Sequence, residues 1–259
     1  MEACCNNPNP DVVKFFIEDG FYIKQESYDG RTLAHFAAKN PNPEIMQRLI
    51  DYGVVFDRGD KIYYQTPLHV AAREGTPEVC KILLDNGCRL EARDRNYCTP
   101  LLNSTINRNP EVFRFLIKSD ANIKVKDFIK NTIIHHALGN SSFELFKEIA
   151  DLTKTKFDDS NFEKYMKQVN YIDYLCQHWN SLGIPFYKKE REKLPFILNA
   201  ALNPDIRVLN YLKEKGCNIF AGNFEKNVIA FALTNNPNPN MVNYLLGDKI
   251  DNKLYDLVF

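Results

Sequence analysis

No stretch of this 259-residue chain is apolar for long enough to form a membrane span. It also has no net charge: 33 Lys and Arg balance 33 Asp and Glu, so no global basic field draws it to nucleic acid. The first residues lack a basic stretch followed by an apolar one, so no secretory leader is expected. There is no glycine-rich phosphate loop, no Gly-x-Ser-x-Gly and no His-Glu-x-x-His, which removes the enzyme classes built on those motifs. The seven cysteines are odd in number and scattered, as expected of free thiols in a reducing compartment.

What the chain does contain is a repeat. Thr32, Thr66, Thr99 and Thr132 are spaced 34, 33 and 33 residues apart, and each opens a short apolar run. The clearest reads Thr66-Pro67-Leu68-His69-Val70-Ala71-Ala72. A second run follows in the first three units: Pro43-Glu44-Ile45 onward, Pro77-Glu78-Val79 onward, Pro110-Glu111-Val112 onward. A period of this size means stacked small units rather than one enclosed core.

Each part has a physical reason. A threonine suits the N-cap, and Pro67 and Pro100 then fall at the first helical position, where a missing N–H costs nothing. The Pro-Glu step opens a second helix with the acid near its positive end. Apolar residues at i, i+3 and i+4 give that helix one buried stripe. Gly53 and Gly87 supply left-handed C-caps. Polar loops such as 91–97 join the units. Each unit therefore reads as helix, turn, helix and an extended hairpin-like loop.

The Thr-Pro-Leu-His-x-Ala-Ala signature at this period resembles the ankyrin repeat, closely in the second unit and more loosely from residue 7 to 149. The resemblance implies an all-α fold, an ankyrin-repeat α-solenoid whose concave face and loop tips bind other proteins. It does not imply catalysis, and no cofactor and no metal are expected. In the family the histidine of the signature bonds to the backbone of the neighbouring hairpin, a role that His35, His69 and His135 would take here. Cys88 and Cys217 follow C-cap glycines and read as small buried residues; Cys80 sits on a repeat helix beside core positions.

Three segments are expected: N-terminal repeats over 1–149, the first of them partial; an insertion over 150–192; degenerate repeats and a cap over 193–259. Segments 193–217 and 227–246 keep the second-helix pattern while losing the Thr and His, and Asn-Pro-Asn-Pro recurs at 7–10, 40–43 and 236–239. The insertion amounts to about 28 residues beyond one period. Within it Phe162, Tyr165, Met166, Val169, Ile172, Leu175, Cys176 and Trp179 are spaced as on one long amphipathic helix. That helix either packs on the stack or serves as a partner-binding helix or hinge.

A Cys176-x-His178 pair is a poor metal signal, because tetrahedral zinc takes four ligands. Residues i and i+2 also point to different helix faces, which opposes a local Cys/His dyad. An enzyme with its chemistry in the insertion is the competing class. A targeting domain cut from a longer protein is a third.

The expected site is non-enzymatic. The loop-tip pairs are Tyr28 and Asp29, Ile62 and Tyr63, Arg95 and Asn96, Phe128 and Ile129. Loop tips normally carry polar residues, so Tyr28, Tyr63, Arg95 and Phe128 read as a binding stripe of the residue types that dominate interfaces. Arg31, Lys39, Gln65, Arg73 and Arg93 would form its polar edge. The alternative is that the aromatics fold back between adjacent hairpins. The partner is a protein, the chain is expected to be a monomer, and the setting is intracellular and cytoplasmic. Abundant Asn, Lys and Ile suit an AT-rich genome, so a host-directed effector of an intracellular bacterium, working in the host cytoplasm, is among the expectations.

Overall fold

A computed structural model describes residues 5–18, 23–128, 130–140, 142–155, 200, 203, 205–217, 238, 240 and 244. Among these, the ordered elements are helices, with a single antiparallel bridge between Lys126 and Thr132. The expected long helix over 160–182, with Cys176 and His178, lies outside the described residues, as does Ile129. The chain divides into two compact units, Met1–Ile133 and Ile134–Phe259.

In the first unit the helices are α1 (Asp11–Glu18), α2 (Leu33–Ala37), α3 (Pro43–Asp51), α4 (Pro67–Glu74), α5 (Pro77–Asp85), α6 (Pro100–Ser104) and α7 (Pro110–Lys118). Helices α2, α4 and α6 pack successively on one another, and α1, α3, α5 and α7 form a second row against them. Thr32, Thr66 and Thr99 occupy the N-cap positions of the first row in extended backbone. Pro67 and Pro100 follow as expected.

The second-row helices start with a side-chain cap that the Pro-Glu step alone does not reveal. The side chains of Asn42, Thr76 and Asn109 accept from the backbone N–H of Glu44, Val79 and Glu111 respectively. Each thereby satisfies one of the free donors at a helix start. Left-handed Gly53 and Gly87 end α3 and α5 as expected.

The buried stripe of the second row runs at i, i+1 and i+4: Ile45, Met46 and Leu49; Val79, Cys80 and Leu83; Val112, Phe113 and Leu116. It differs from the expected i, i+3, i+4 spacing, and Ile82 and Leu84 are half-covered. In the first row Ala37, Ala38, Ala71 and Ala72 are fully buried. The small side chains let the helices approach closely. A Cβ on Gly75 would collide with the Ala38 carbonyl of the preceding unit.

Polar ties reinforce both sides of the stack. His69 Nδ1 accepts from the Thr66 N–H (3.1 Å), so its Nε2 carries the proton and donates to the Cys98 carbonyl (3.0 Å). His35 does the same between the Thr32 N–H (3.0 Å) and the Gln65 carbonyl (2.8 Å). Two asparagines act away from the tips. Buried Asn40 donates to the Asn7 carbonyl (2.8 Å), and Asn107 donates to the carbonyls of Ala72 (3.0 Å) and Gly75 (3.1 Å).

The second unit holds α8 (Ile133–Asn140, which begins at the boundary), α9 (Phe143–Thr153) and α10 (Ile206–Glu214). Helices α9 and α10 pack together, and each repeats the second-row stripe: Leu145, Phe146 and Ile149; Val208, Leu209 and Leu212. Phe146 and Tyr211 meet edge-on at 5.5 Å. Asn203 donates to the Leu138 carbonyl (3.0 Å) and so ties units of the repeat, as Asn40 and Asn107 do. Gly216 is the left-handed C-cap, and Cys217 is buried after it.

Candidate partner-binding surface

Each loop tip of the first unit is a tight turn closed by one side chain. The carboxylate of Asp60 accepts from the backbone N–H of Ile62 (3.0 Å) and Tyr63 (2.6 Å). Asp94 accepts from Asn96 (2.8 Å) and Cys98 (2.9 Å), and Asp127 from Asn131 (2.8 Å). Ser27 holds the corresponding place in the first tip, its hydroxyl accepting from the Arg31 N–H (3.0 Å). The three aspartates are buried, so the tips carry their acidic groups inward. They were not among the residues expected to matter. The signal for them is their fixed place five or six residues before the repeat threonine.

The turns then connect into a row. The Lys61 N–H donates to the Asp29 carbonyl (2.8 Å), Arg95 to Tyr63 (2.7 Å) and Phe128 to Asn96 (2.9 Å). One backbone bond at each step fixes which residues of successive tips are neighbours.

The aromatics point outward. Tyr28 is 102 % exposed, Phe128 55 %, Ile62 42 % and Tyr63 37 %. They are not folded back between hairpins. Two further exposed tyrosines belong to the row, Tyr64 at 58 % and Tyr97 at 53 %. Both stand two places before the repeat threonine, where the first tip has Gly30. All three positions are left-handed, with φ of 77° at Gly30, 55° at Tyr64 and 60° at Tyr97. A bulky side chain there is unusual, because its Cβ crowds the backbone. Tyr97 lies 6.0 Å from Phe128 with the rings tilted by 40°, and the Arg93 guanidinium stands 5.9 Å from the Tyr97 ring.

The expected polar edge separates into two kinds of residue. Gln65 is buried, not exposed: its amide donates towards Asp94 (3.5 Å), and its oxygen accepts from Arg73 (3.4 Å). Sequence spacing did not reveal this because Asp94 comes from the next unit. Arg31 is half-buried and lies 3.1 Å from Asp29 and 3.8 Å from Asp60, joining two tips. Lys39 is half-buried and paired with Glu74 (2.7 Å). These four serve the stack. Burial opposes ionisation of Asp29 and Glu74, yet their partners outweigh it. The Ser27 hydroxyl and Arg31 hold Asp29 below the usual carboxylate range, and Lys39 with Arg73 does so for Glu74.

The others face outward. Arg93 and Arg95 are exposed and Asn96 is half-exposed. The Arg93 guanidinium donates to the carbonyls of Tyr97 and Lys126 (both 3.2 Å), and Arg95 donates to that of Ile62 (3.3 Å). Neither is neutralised by a carboxylate among the described residues.

Burial pushes the Cys80 and Cys88 thiols up to about 12, and also raises that of Cys98, so none of the three is a ready nucleophile. The imidazoles of His35 and His69 are held neutral, chiefly by burial. Each already donates one ring nitrogen to the stack and accepts with the other.

Residues 1–94 match a family model described as ankyrin repeats, three copies. No curated protein matches the sequence at a meaningful level of similarity. The Thr-capped first helix, the Pro-led second helix and the tip turn continue beyond the matched span through α7. With the repeat ties of His35 and His69 in place, residues 1–94 of this chain are ankyrin repeats.

Proposed function

We propose that this chain is a non-enzymatic protein-binding module that takes its partner on the loop-tip row of the first unit. Ankyrin repeats in general are protein-interaction modules. The observation that carries the reading is the exposure of Tyr28, Tyr64, Tyr97 and Phe128 along turns whose backbones are already hydrogen-bonded to one another. Large apolar side chains in a contiguous exposed patch mark interaction sites, and Tyr is enriched among residues that dominate binding energy. A fixed backbone also reduces the ordering cost of binding. The proposal includes a reducing compartment, supported by the free thiols of Cys5, Cys80, Cys88, Cys98 and Cys217.

The test is a pull-down with wild type beside a Tyr28→Ala/Tyr97→Ala/Phe128→Ala variant, both shown folded by circular dichroism. The expected result is a partner kept by wild type and lost by the variant. A partner held equally by both would remove the tip row as its site.

A further inference from the structure

Many cations of the first unit are paired: Arg31, Lys39, Arg48, Arg73, Lys81 and Arg114 each lie within 4 Å of a carboxylate. Lys118, at the end of α7, is in no ion pair among the described residues. Around the third and fourth tips the cations are not paired either. Arg93, Arg95, Lys126 and Lys130 are exposed, and no ion pair among the described residues includes them. The aspartates of these two tips, Asp94 and Asp127, are buried, their oxygens accepting from backbone N–H groups. The nearby exposed acid, Glu91, accepts from the Asn122 N–H (2.8 Å). Glu91 apart, acid is therefore turned inward and cation outward around the Tyr97–Phe128 pair. The guanidinium of Arg93 is held in place by two carbonyls, which orient it without cancelling its charge.

We propose that Arg93, Arg95, Tyr97, Lys126, Phe128 and Lys130 dock an acidic segment of a partner protein that inserts an apolar side chain at the two rings. The proposal rests on the tip-row reading and names the chemistry of its partner. Charge complementarity carries it: four cations without an ion pair lie on the two tips that carry the apolar pair, and matching potentials set specificity and association rate. Aromatic rings among cations also suit single-stranded nucleic acid, but the geometry favours peptide. Tyr97 and Phe128 are tilted against each other and leave no parallel slot for a base to stack in, and the chain has no net positive charge to hold a phosphate backbone. Tyr97 adds a second argument. Its left-handed backbone favours glycine, so its ring is held there against local preference.

The experiment measures fluorescence anisotropy of the full chain with three labelled probes: a peptide of Glu-Glu-Phe repeats, one of Lys-Lys-Phe repeats, and oligouridylate. The acidic peptide should bind at least roughly tenfold tighter than the basic one, and raising salt should weaken it. An Arg93→Glu/Lys126→Glu variant should lose most of that binding. Tyr97→Gly should lose binding while its melting temperature holds or rises, which separates a docking residue from a structural one. Equal binding of the two peptides, or preference for oligouridylate, overturns the proposal. A natural partner lost by the triple alanine variant but kept by Arg93→Glu/Lys126→Glu overturns the acidic segment alone. A partner kept by both variants overturns the tip row as well.

Discussion

The first tip of this protein places Gly30 at its left-handed position; the second and third place Tyr64 and Tyr97 in the same position. The turn is otherwise the same, closed by one inward side chain and one backbone bond to the next tip. The fold therefore needs the backbone shape and not the side chain. Glycine takes that shape without steric cost, whereas a tyrosine takes it at about 1–2 kcal/mol. The tyrosine rings are more than half exposed, so packing returns little of that cost. A residue that the fold tolerates but does not favour, and that faces solvent, fits the proposed recognition role.

The comparison can be broken most severely away from the tips. Leu83→Ala empties a fully buried position of the second-row stripe and should cost about 2–5 kcal/mol, measured by urea unfolding. Leu84 is half-covered, so Leu84→Ala should cost clearly less; equal losses would show the stripe has been misassigned.

Next is His69→Ala, which leaves the Thr66 N–H and the Cys98 carbonyl without their partner in a buried site. The expected loss is about 1–3 kcal/mol. A loss as small as that of Tyr63→Ala, a tip residue whose truncation should be nearly silent, would deny the histidine its role as a tie.

Acid should act through the same histidines. Burial lowers the values of His35 and His69, so the folded chain keeps them neutral while the unfolded chain takes up protons below about 6.5. Stability should then fall as the pH drops below that value, until the folded imidazoles themselves titrate. Protonation would also turn the Nδ1 acceptor into a donor facing the threonine N–H. A melting temperature unchanged between pH 7 and pH 5, with both histidines present, would contradict this.

The smallest effects test the tips themselves. Gly30→Ala should destabilise by about 1 kcal/mol, from the left-handed backbone and the crowding of its Cβ against Lys61. Tyr64→Gly should be neutral or stabilising by a similar amount. Thermal melts of the two variants should move in opposite directions, and a shared direction would remove the argument from backbone preference.

Much of this was legible from residue identity. Thr32, Thr66 and Thr99, the Pro-led helices, the C-cap glycines and the ties of His35 and His69 follow from short-range chemistry and a fixed period, and the structure places them accordingly. The outward tips were legible from aromatics where polar residues are usual. Tyr64 and Tyr97 were not singled out, because their importance lies in a backbone angle that no side-chain type announces. Gln65 was misplaced on the edge for a different reason: its partner Asp94 is 29 residues away in sequence and adjacent only once the units stack.

The sequence by itself determined the repeat, the helix starts and stops, and the residues available to the tips, because these depend on local backbone preference and side-chain periodicity. Only the tertiary structure decided which polar groups the stack consumes and which it leaves in solvent. That division depends on distances between units. It buries Asp94, Asp127 and Gln65 while leaving Arg93, Arg95, Tyr97 and Phe128 in solvent.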